Sequence, residues 1–194
     1  MNHRLMLLGD SFGGDSPSAG DLLADMLLVE HPEMPLAFTI QFSNRNTLDF
    51  LFDNCARDVI GKQAGLTLFL LGWEEILSSL SGEEVLARYS KLAHEILENS
   101  STQLLACTLP LESDNMESLR QMRMEQLNMA LRSWKFGPRW HLVDLAEEFQ
   151  QYQIQQRVRA ELARNLFVEQ GVLGPLGGML FAKVLSRKIA AFMP

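Results

Sequence analysis

The residues best suited to chemistry in this chain stand together near its start, between Leu5 and Gly14. Four apolar residues are followed there by Gly9, Asp10 and Ser11. A serine hydroxyl becomes a strong nucleophile only when an adjacent base takes its proton. The apolar run predicts a buried strand ending near Gly9. Ser11 is therefore expected at the carboxyl edge of a sheet, where open α/β sheets bind ligands.

The glycines around Ser11 fit a tight turn. Gly9 precedes the Asp-Ser pair, and Gly13 and Gly14 follow it. Glycine lets the backbone turn sharply and lets a ligand approach closely. A helix that starts after Ser11 would bring backbone N–H groups to the same place, where they could stabilise a negative charge.

Four further apolar runs predict the rest of the sheet. They alternate with longer segments of helical period, an order typical of parallel strands with helices on both faces. Near-continuous apolar runs favour strands covered on both faces. We therefore predict a single domain over residues 1–194, an α/β fold with a five-stranded parallel sheet in a three-layer, flavodoxin-like α/β/α sandwich. The predicted strands are Leu5–Leu8, Leu36–Ile40, Leu66–Leu71, Leu104–Thr108 and His141–Asp144.

The predicted helices follow from apolar residues three or four positions apart. Thr47 is a plausible helix start, and so is Ser81 with Glu84 three residues later. The predicted helical segments are Leu22–Leu27, Leu48–Val59, Val85–Ile96, Met116–Trp134 and Leu176–Phe192.

The polar segment Glu147 to Arg164 contains helix-forming residues but few apolar anchors. Two interpretations stay open. The segment is either a solvated helix in partial contact through Phe149, Tyr152, Ile154 and Val158, or a surface for a protein partner.

Composition excludes several classes of function. The net charge of −7 and the lack of a basic stripe argue against nucleic-acid binding. No run approaches the ~18 apolar residues of a membrane span, and the first residues lack the cleavage site of a signal peptide. We expect a bacterial-type cytoplasmic location. Cys55 and Cys107, in apolar surroundings, are expected to be buried reduced thiols.

The Gly9-Asp10-Ser11 turn resembles the first block of the GDSL, or SGNH, hydrolase family. In that family the tripeptide follows the first strand of a five-stranded α/β/α sandwich. Later segments resemble the family's elements in the same order, so the resemblance spans nearly the whole chain and implies that Ser11 stands at the nucleophile position. The later segments are Phe69–Glu75, Cys107–Leu111, Leu127–Trp134, Trp140–Leu145 and Glu169–Leu185.

The family's terminal block departs from its pattern in this chain. Matching Gly171 and Gly178 to the glycines of the family's Asp-Gly-x-His-x-x-x-x-Gly block puts Gln170 at the aspartate and Leu173 at the histidine. Neither side chain can take a proton from Ser11. The resemblance therefore implies a degenerate member that lacks the terminal Asp-x-x-His pair.

None of the four histidines is expected to replace the missing base. His3, His31 and His141 are predicted at the amino edge of the sheet. His94 lies about three turns along the third helix, well below its top at ~1.5 Å per residue.

The oxyanion-binding positions of the family are also altered. Glu74 stands where the family has the Asn of its Gly-x-Asn block, and Arg45 matches the family's glycine after strand two, with Asn44 and Asn46 as alternatives. An ionised Glu74 would repel a developing negative charge unless Arg45 paired with it. Glu74 could instead act as a replacement base for Ser11.

We therefore predict a catalytically degenerate protein that acts by binding a partner protein or a small ligand. The alternative is a weak or specialised serine ester hydrolase that uses Ser11 with a non-standard base. The cleft above Ser11 could hold an acyl or sugar ligand, or could be closed by its own side chains. Carboxylates without a spaced His or Cys set give no support for a metal, and no cofactor is predicted. The candidate ligand-contacting residues are Asp10, Phe12, Arg45, Trp73, Glu74 and Leu173.

Overall fold

A sheet of five parallel strands forms the centre of the molecule, in the order β2-β1-β3-β4-β5. The computed structural model describes residues 4–13, 17–111, 118–159, 166–168 and 172–192. All five predicted strands are confirmed, with ends shifted by one or two residues. The strands are β1 (Arg4–Gly9), β2 (Ala37–Phe42), β3 (Leu66–Leu70), β4 (Gln103–Cys107) and β5 (Trp140–Val143).

The helices of the described part lie on both sides of this sheet. They are α1 (Ala19–Glu30), α2 (Leu48–Asp53), α3 (Cys55–Asp58), α4 (Trp73–Leu77), α5 (Gly82–Asn99), α6 (Leu119–Ser133), α7 (Leu145–Arg159) and α8 (Pro175–Ala190). Helix α1 packs against α8, while α5 packs against α2 and α6. The predicted three-layer α/β/α arrangement is confirmed.

Sequence periodicity missed two details of the helices. The predicted helix over 48–59 is broken at Asn54 into α2 and α3, and the short helix α4, which begins after Gly72, was not predicted. Gly72 has φ 111°, in the left-handed region that favours glycine. The two predicted helix starts are confirmed: Thr47 caps α2, and Ser81 forms a capping box with Glu84 at the start of α5. Met116 lies outside the described residues.

Burial differs between the strands. All residues of β3 are buried, whereas β2, at the edge of the sheet, is only partly buried, contrary to the expectation that every strand would be covered on both faces. Cys55 and Cys107 are buried free thiols, as predicted. Burial raises the pKa of the Cys55 thiol to about 11 and raises the pKa of Cys107 above its ordinary value. No helix in the described ranges has the length and apolarity needed to cross a membrane.

Candidate functional site

Ser11 lies at the carboxyl edge of the sheet, in a short 3-10 helix (Ser11–Gly13) that follows β1. Ser11 is partly exposed. Within the described part of the chain the Ser11 hydroxyl makes no hydrogen bond. The position predicted for a nucleophile is therefore present, but no described side chain is in contact to activate the hydroxyl.

Asp10, one residue earlier, is completely buried. Its carboxylate accepts the backbone N–H of Phe12 at 3.0 Å and that of Trp73 at 2.7 Å, with the N–H of Glu74 at 3.4 Å. These bonds tie the Ser11 turn to the first turn of α4. Asp10 is thus a buried structural link between the Ser11 turn and α4.

The electrostatic surroundings of Asp10 are unfavourable for a negative charge. Burial raises the pKa of its carboxyl from 3.8 to about 7. The N–H groups of Phe12 and Trp73 lower that pKa, and the carboxylates of Glu75 and Glu74 raise it again. A buried acid held among other acids keeps its proton to a higher pH than an exposed carboxyl does.

Three side chains predicted to line a cleft are packed together beside Ser11. Phe12 and Trp73 meet edge to face, with ring centroids 5.4 Å apart, and both are buried. The side chain of Leu173 is only 5% exposed, and its backbone N–H donates to the carbonyl of Phe12 at 2.9 Å. The ring of Phe167 lies 6.4 Å from that of Phe12. Together these residues form part of the hydrophobic core.

The Trp73 ring also contacts the positively charged side chain of Arg120. The guanidinium of Arg120 lies 5.1 Å from the centre of the Trp73 ring, a cation–π distance. The buried indole Nε1 of Trp73 has no hydrogen-bond partner among the described residues.

Two adjacent acids at the start of α4 have different environments. Glu74 is partly exposed, and among the described residues its carboxylate forms no ion pair. Glu75 is buried, and its Oε1 accepts the N–H of Leu48 at 2.6 Å, at the start of α2. Burial raises the pKa of Glu75 above its ordinary value. The sequence pointed to Glu74 as a site residue. The hydrogen bond between Glu75 and Leu48 joins residues 27 positions apart, so no local sequence pattern could have predicted it.

The loop after β2 is fixed by Asn46. Its side-chain amide donates to the carbonyls of Gly9 and Gln41, both at 2.9 Å. Arg45 is exposed, and in the described part of the molecule it forms no ion pair with Glu74. The charge pairing considered from the sequence is therefore not made, and the loop is attached through a neutral amide.

The glycines near Ser11 accommodate an aromatic ring. A Cβ atom at Gly9, Gly13 or Gly20 would come within 2.2–2.6 Å of the Phe42 ring. Phe42 is the last residue of β2 and pairs with Gly9 of β1. The missing side chains at these three positions leave room for the ring, so the glycines have a packing role.

The described histidines lie away from Ser11. His31 follows the end of α1, His141 is the second residue of β5, and His94 on α5 contacts the ring of Phe136 just ahead of β5. All three positions belong to the amino side of the sheet, as predicted. His3 lies outside the described residues.

The terminal block is described only in part. Gln170 and Gly171 lie outside the described residues, whereas Leu173 is inside and pairs with Phe167 in an antiparallel bridge. In the described ranges, no three His, Cys, Asp or Glu side chains are grouped so as to hold a metal ion.

The polar segment Glu147 to Arg164 is helical where it is described, in α7, and residues 160–164 lie outside the described part. Phe149 is fully buried and anchors α7 to the core. Beside this anchor a groove of about 290 Å³ lies between α7 and α6. Arg132 at this groove is already paired, with Asp144 at 2.7 Å and with Glu125 at 3.0 Å.

Comparison with solved structures finds the same architecture in esterases. The acetyl xylan esterase AlAXEase gives a TM-score of 0.80 at 14% identity, with 96% of this chain and 99% of that chain covered. Axe2, an acetylxylan esterase from Geobacillus stearothermophilus, gives 0.74 at 16%, with 96% and 93% covered. LAE5, an alpha/beta hydrolase enzyme from the metagenome of Lake Arreo, Spain, gives 0.72 at 17%, with 97% and 93% covered.

The protein therefore has an SGNH hydrolase-like fold. At these identities the similarity shows the fold alone, and function has to be argued from the site. The sequence matches no protein-family model and no curated protein.

Proposed function

We propose that this protein is a non-hydrolytic SGNH-like protein that acts by binding a partner protein. The observation that carries the proposal is the position of Leu173. Its N–H donates to the carbonyl of Phe12, the residue next to Ser11, so residue 173 stands beside the serine turn. A hydrolase needs a base within hydrogen-bond reach of its serine. A buried leucine side chain supplies none.

The charges near Ser11 support the same proposal. Asp10 and Glu75 are buried acids, and Glu74 adds a third carboxyl group beside them. Ester hydrolysis through a serine develops negative charge on the substrate oxygen, and donors must face that charge. A site surrounded by carboxyl groups opposes it whenever they are ionised.

The partner surface that we propose is the outer face of α7 with the adjoining groove. Glu147, Glu148 and Gln151 are exposed there, and Ile154 is 44% exposed. Because Arg132 is paired with its own carboxylate partners, the described side chains of this face present acidic and amide groups. Such a face suits a partner surface that carries cationic side chains around a small apolar contact.

A serine-directed fluorophosphonate probe tests the loss of catalysis. We expect labelling no stronger in the wild-type protein than in Ser11→Ala, with an active acetyl xylan esterase as the positive control. Rapid labelling that disappears in Ser11→Ala would contradict the proposal.

Affinity purification from the source organism tests the partner surface. A stoichiometric partner should be retained by Ser11→Ala and lost on charge reversal in Glu148→Arg. Glu83→Arg, an equivalent reversal on the exposed first turn of α5, is the matched control. Retention by Glu148→Arg, or equal loss in both reversals, would rule out this face.

A second candidate function, weak ester hydrolysis, is favoured by the position of Glu74. Its N–H lies 3.4 Å from the Asp10 carboxylate, so Glu74 shares the sheet edge with Ser11. If Glu74 is the base, hydrolysis of p-nitrophenyl acetate must be lost in both Ser11→Ala and Glu74→Gln and retained in Glu83→Gln. Activity that survives Ser11→Ala would exclude this candidate.

A further inference from the structure

The amino edge of the sheet, opposite Ser11, carries a cavity of about 380 Å³. Its walls come from three parts of the chain: the segment ahead of β3, β3 itself, and the stretch from the end of α5 to β4. The lining residues are Val59, Ile60, Gln63, Ala64, Thr67, Ile96, Asn99, Ser100, Ser101 and Thr102. This volume lies in the lower part of the range of small-ligand pockets. The cavity is separate from the candidate site and does not depend on the proposed function.

The polar lining of the cavity is neutral. Hydroxyl and amide side chains from Gln63, Thr67, Asn99, Ser101 and Thr102 contribute to it. None of the described residues that line the cavity is an Asp, Glu, Lys, Arg or His. A charged ligand would lose hydration here without meeting an oppositely charged side chain on the lining, which is unfavourable. The lining therefore selects an uncharged ligand.

Two threonines on the cavity wall leave an acceptor available. Their Oγ1 atoms lie 3.0 Å apart in a buried contact between Thr67 and Thr102. The hydroxyl of Thr102 also donates to the carbonyl of Gln103 at 3.2 Å. Because the Thr102 hydroxyl proton points to the Gln103 carbonyl, the Thr67 hydroxyl must donate to Thr102. The lone pairs of the Thr67 oxygen then remain able to accept a hydrogen bond. Thr67 is only 1% exposed, so a ligand hydroxyl would meet this acceptor only at the innermost part of the cavity.

The wall is also held in a fixed shape. The guanidinium of Arg139 donates to the carbonyls of Leu97 and Ser100, which fixes the segment that leads into β4. On the other side, Gln63 has φ 52° and ψ 43°, a left-handed conformation that is uncommon for a residue other than glycine. Strained residues of this kind occur at ligand sites when the surroundings enforce them.

Apolar side chains complete the lining. Val59, Ile60 and Ile96 contribute carbon surface beside the hydroxyl and amide groups. A molecule that carries hydroxyl groups on a ring of carbon atoms presents both kinds of surface at once. We propose that this cavity binds a neutral, polyhydroxylated small molecule of the sugar or cyclic-polyol class.

Titration of ¹⁵N-labelled protein with D-xylose, D-glucose and myo-inositol tests the proposal. We expect saturable amide shifts at residues 60–67 and 99–102 for at least one of the three, with millimolar affinity. D-Glucuronate, which adds a carboxylate, should bind at least tenfold more weakly than D-glucose. The absence of saturable shifts with all three neutral compounds would overturn the proposal, and so would equal or tighter binding of D-glucuronate.

Two variants connect the binding to the cavity. Ser101→Leu places a bulky side chain at its exposed rim, and Thr67→Val removes the acceptor oxygen; each should weaken binding at least tenfold. Ser133→Leu, at an exposed serine on α6 outside the cavity, is the matched control and should bind as the wild type does. Unchanged binding in both Ser101→Leu and Thr67→Val would place the ligand elsewhere and overturn the proposal.

Discussion

The two edges of the sheet differ in whether their side chains are packed together or line a cavity. At the carboxyl edge, Phe12, Trp73 and Leu173 are buried against one another around the Ser11 turn. At the amino edge, hydroxyl and amide groups line an open cavity of about 380 Å³. Open α/β sheets usually bind ligands at the carboxyl edge. Among the described residues, the part of the usual edge around Ser11 has the character of a hydrophobic core, and the largest described concave polar surface lies at the other edge.

The largest expected effect tests whether the carboxyl edge is core. Trp73→Ala should lower the free energy of unfolding by about 3–5 kcal/mol, since a buried aromatic ring is removed. Leu77→Ala, on the same helix but 42% exposed, is the control and should cost far less. Urea denaturation measures both. A loss below about 1 kcal/mol for Trp73→Ala would mean that the ring is a replaceable ligand wall.

Two neighbouring glycines near Leu173 give the next largest effect. A Cβ at Gly177 would lie 2.1 Å from the backbone oxygen of Leu166, whereas a Cβ at Gly178 meets the flexible end of Leu22 at 2.8 Å. Gly177→Ala should therefore cost about 3 kcal/mol, and Gly178→Ala about 1 kcal/mol or less. Thermal unfolding compares the two variants. Equal losses would show that the packing around Leu173 is loose.

The buried acid Asp10 predicts a pH dependence at the carboxyl edge. The unfolded chain releases this proton near pH 3.8, and the folded protein holds it until about pH 7. The folded state therefore binds more protons in this interval, and stability should fall as the pH rises from 4 to 7, by on the order of 3 kcal/mol. Asp10→Asn should flatten the dependence, measured by urea denaturation at several pH values.

Glu75 adds a dependence of the same sign, because burial raises its pKa as well. Glu75→Gln separates its contribution from that of Asp10. A pH dependence that Asp10→Asn leaves unchanged would contradict the raised pKa of Asp10, because other carboxyls such as Asp144 contribute with the opposite sign.

The smallest effect is expected at the amino edge. Ser101 is exposed at the rim of the cavity, so Ser101→Leu should change the free energy of unfolding by less than about 0.5 kcal/mol while it blocks the cavity. Denaturation together with the sugar titration measures both properties. A large loss of stability in Ser101→Leu would show that the amino edge is packed as tightly as the carboxyl edge.

The sequence predicted the sheet well because its signal is local. Each strand is a short apolar run such as Leu66–Leu71, and burial of both faces requires that composition. The helix boundaries were harder to predict. An apolar spacing over 48–59 continues across Asn54 although the helix breaks there, and the five residues of α4 are too few to show a period.

The candidate site was predicted in position but not in packing. The place of Ser11 after β1 and the absence of a base at Leu173 both follow from residue types along the chain. The burial of Phe12 against Trp73 depends on two residues 61 positions apart, and the sequence left open whether they line or close a cleft. A contact that depends on which way a side chain faces cannot be derived from its own neighbours.

The Phe42 ring between Gly9, Gly13 and Gly20 has a consequence for evolution. Selection for packing alone would retain these glycines, because any larger residue would collide with the ring. Packing would therefore preserve the glycines of such a turn whether or not its serine reacts. A Gly-Asp-Ser-x-Gly sequence of this kind reports the architecture, and only the residues around the serine bear on catalysis.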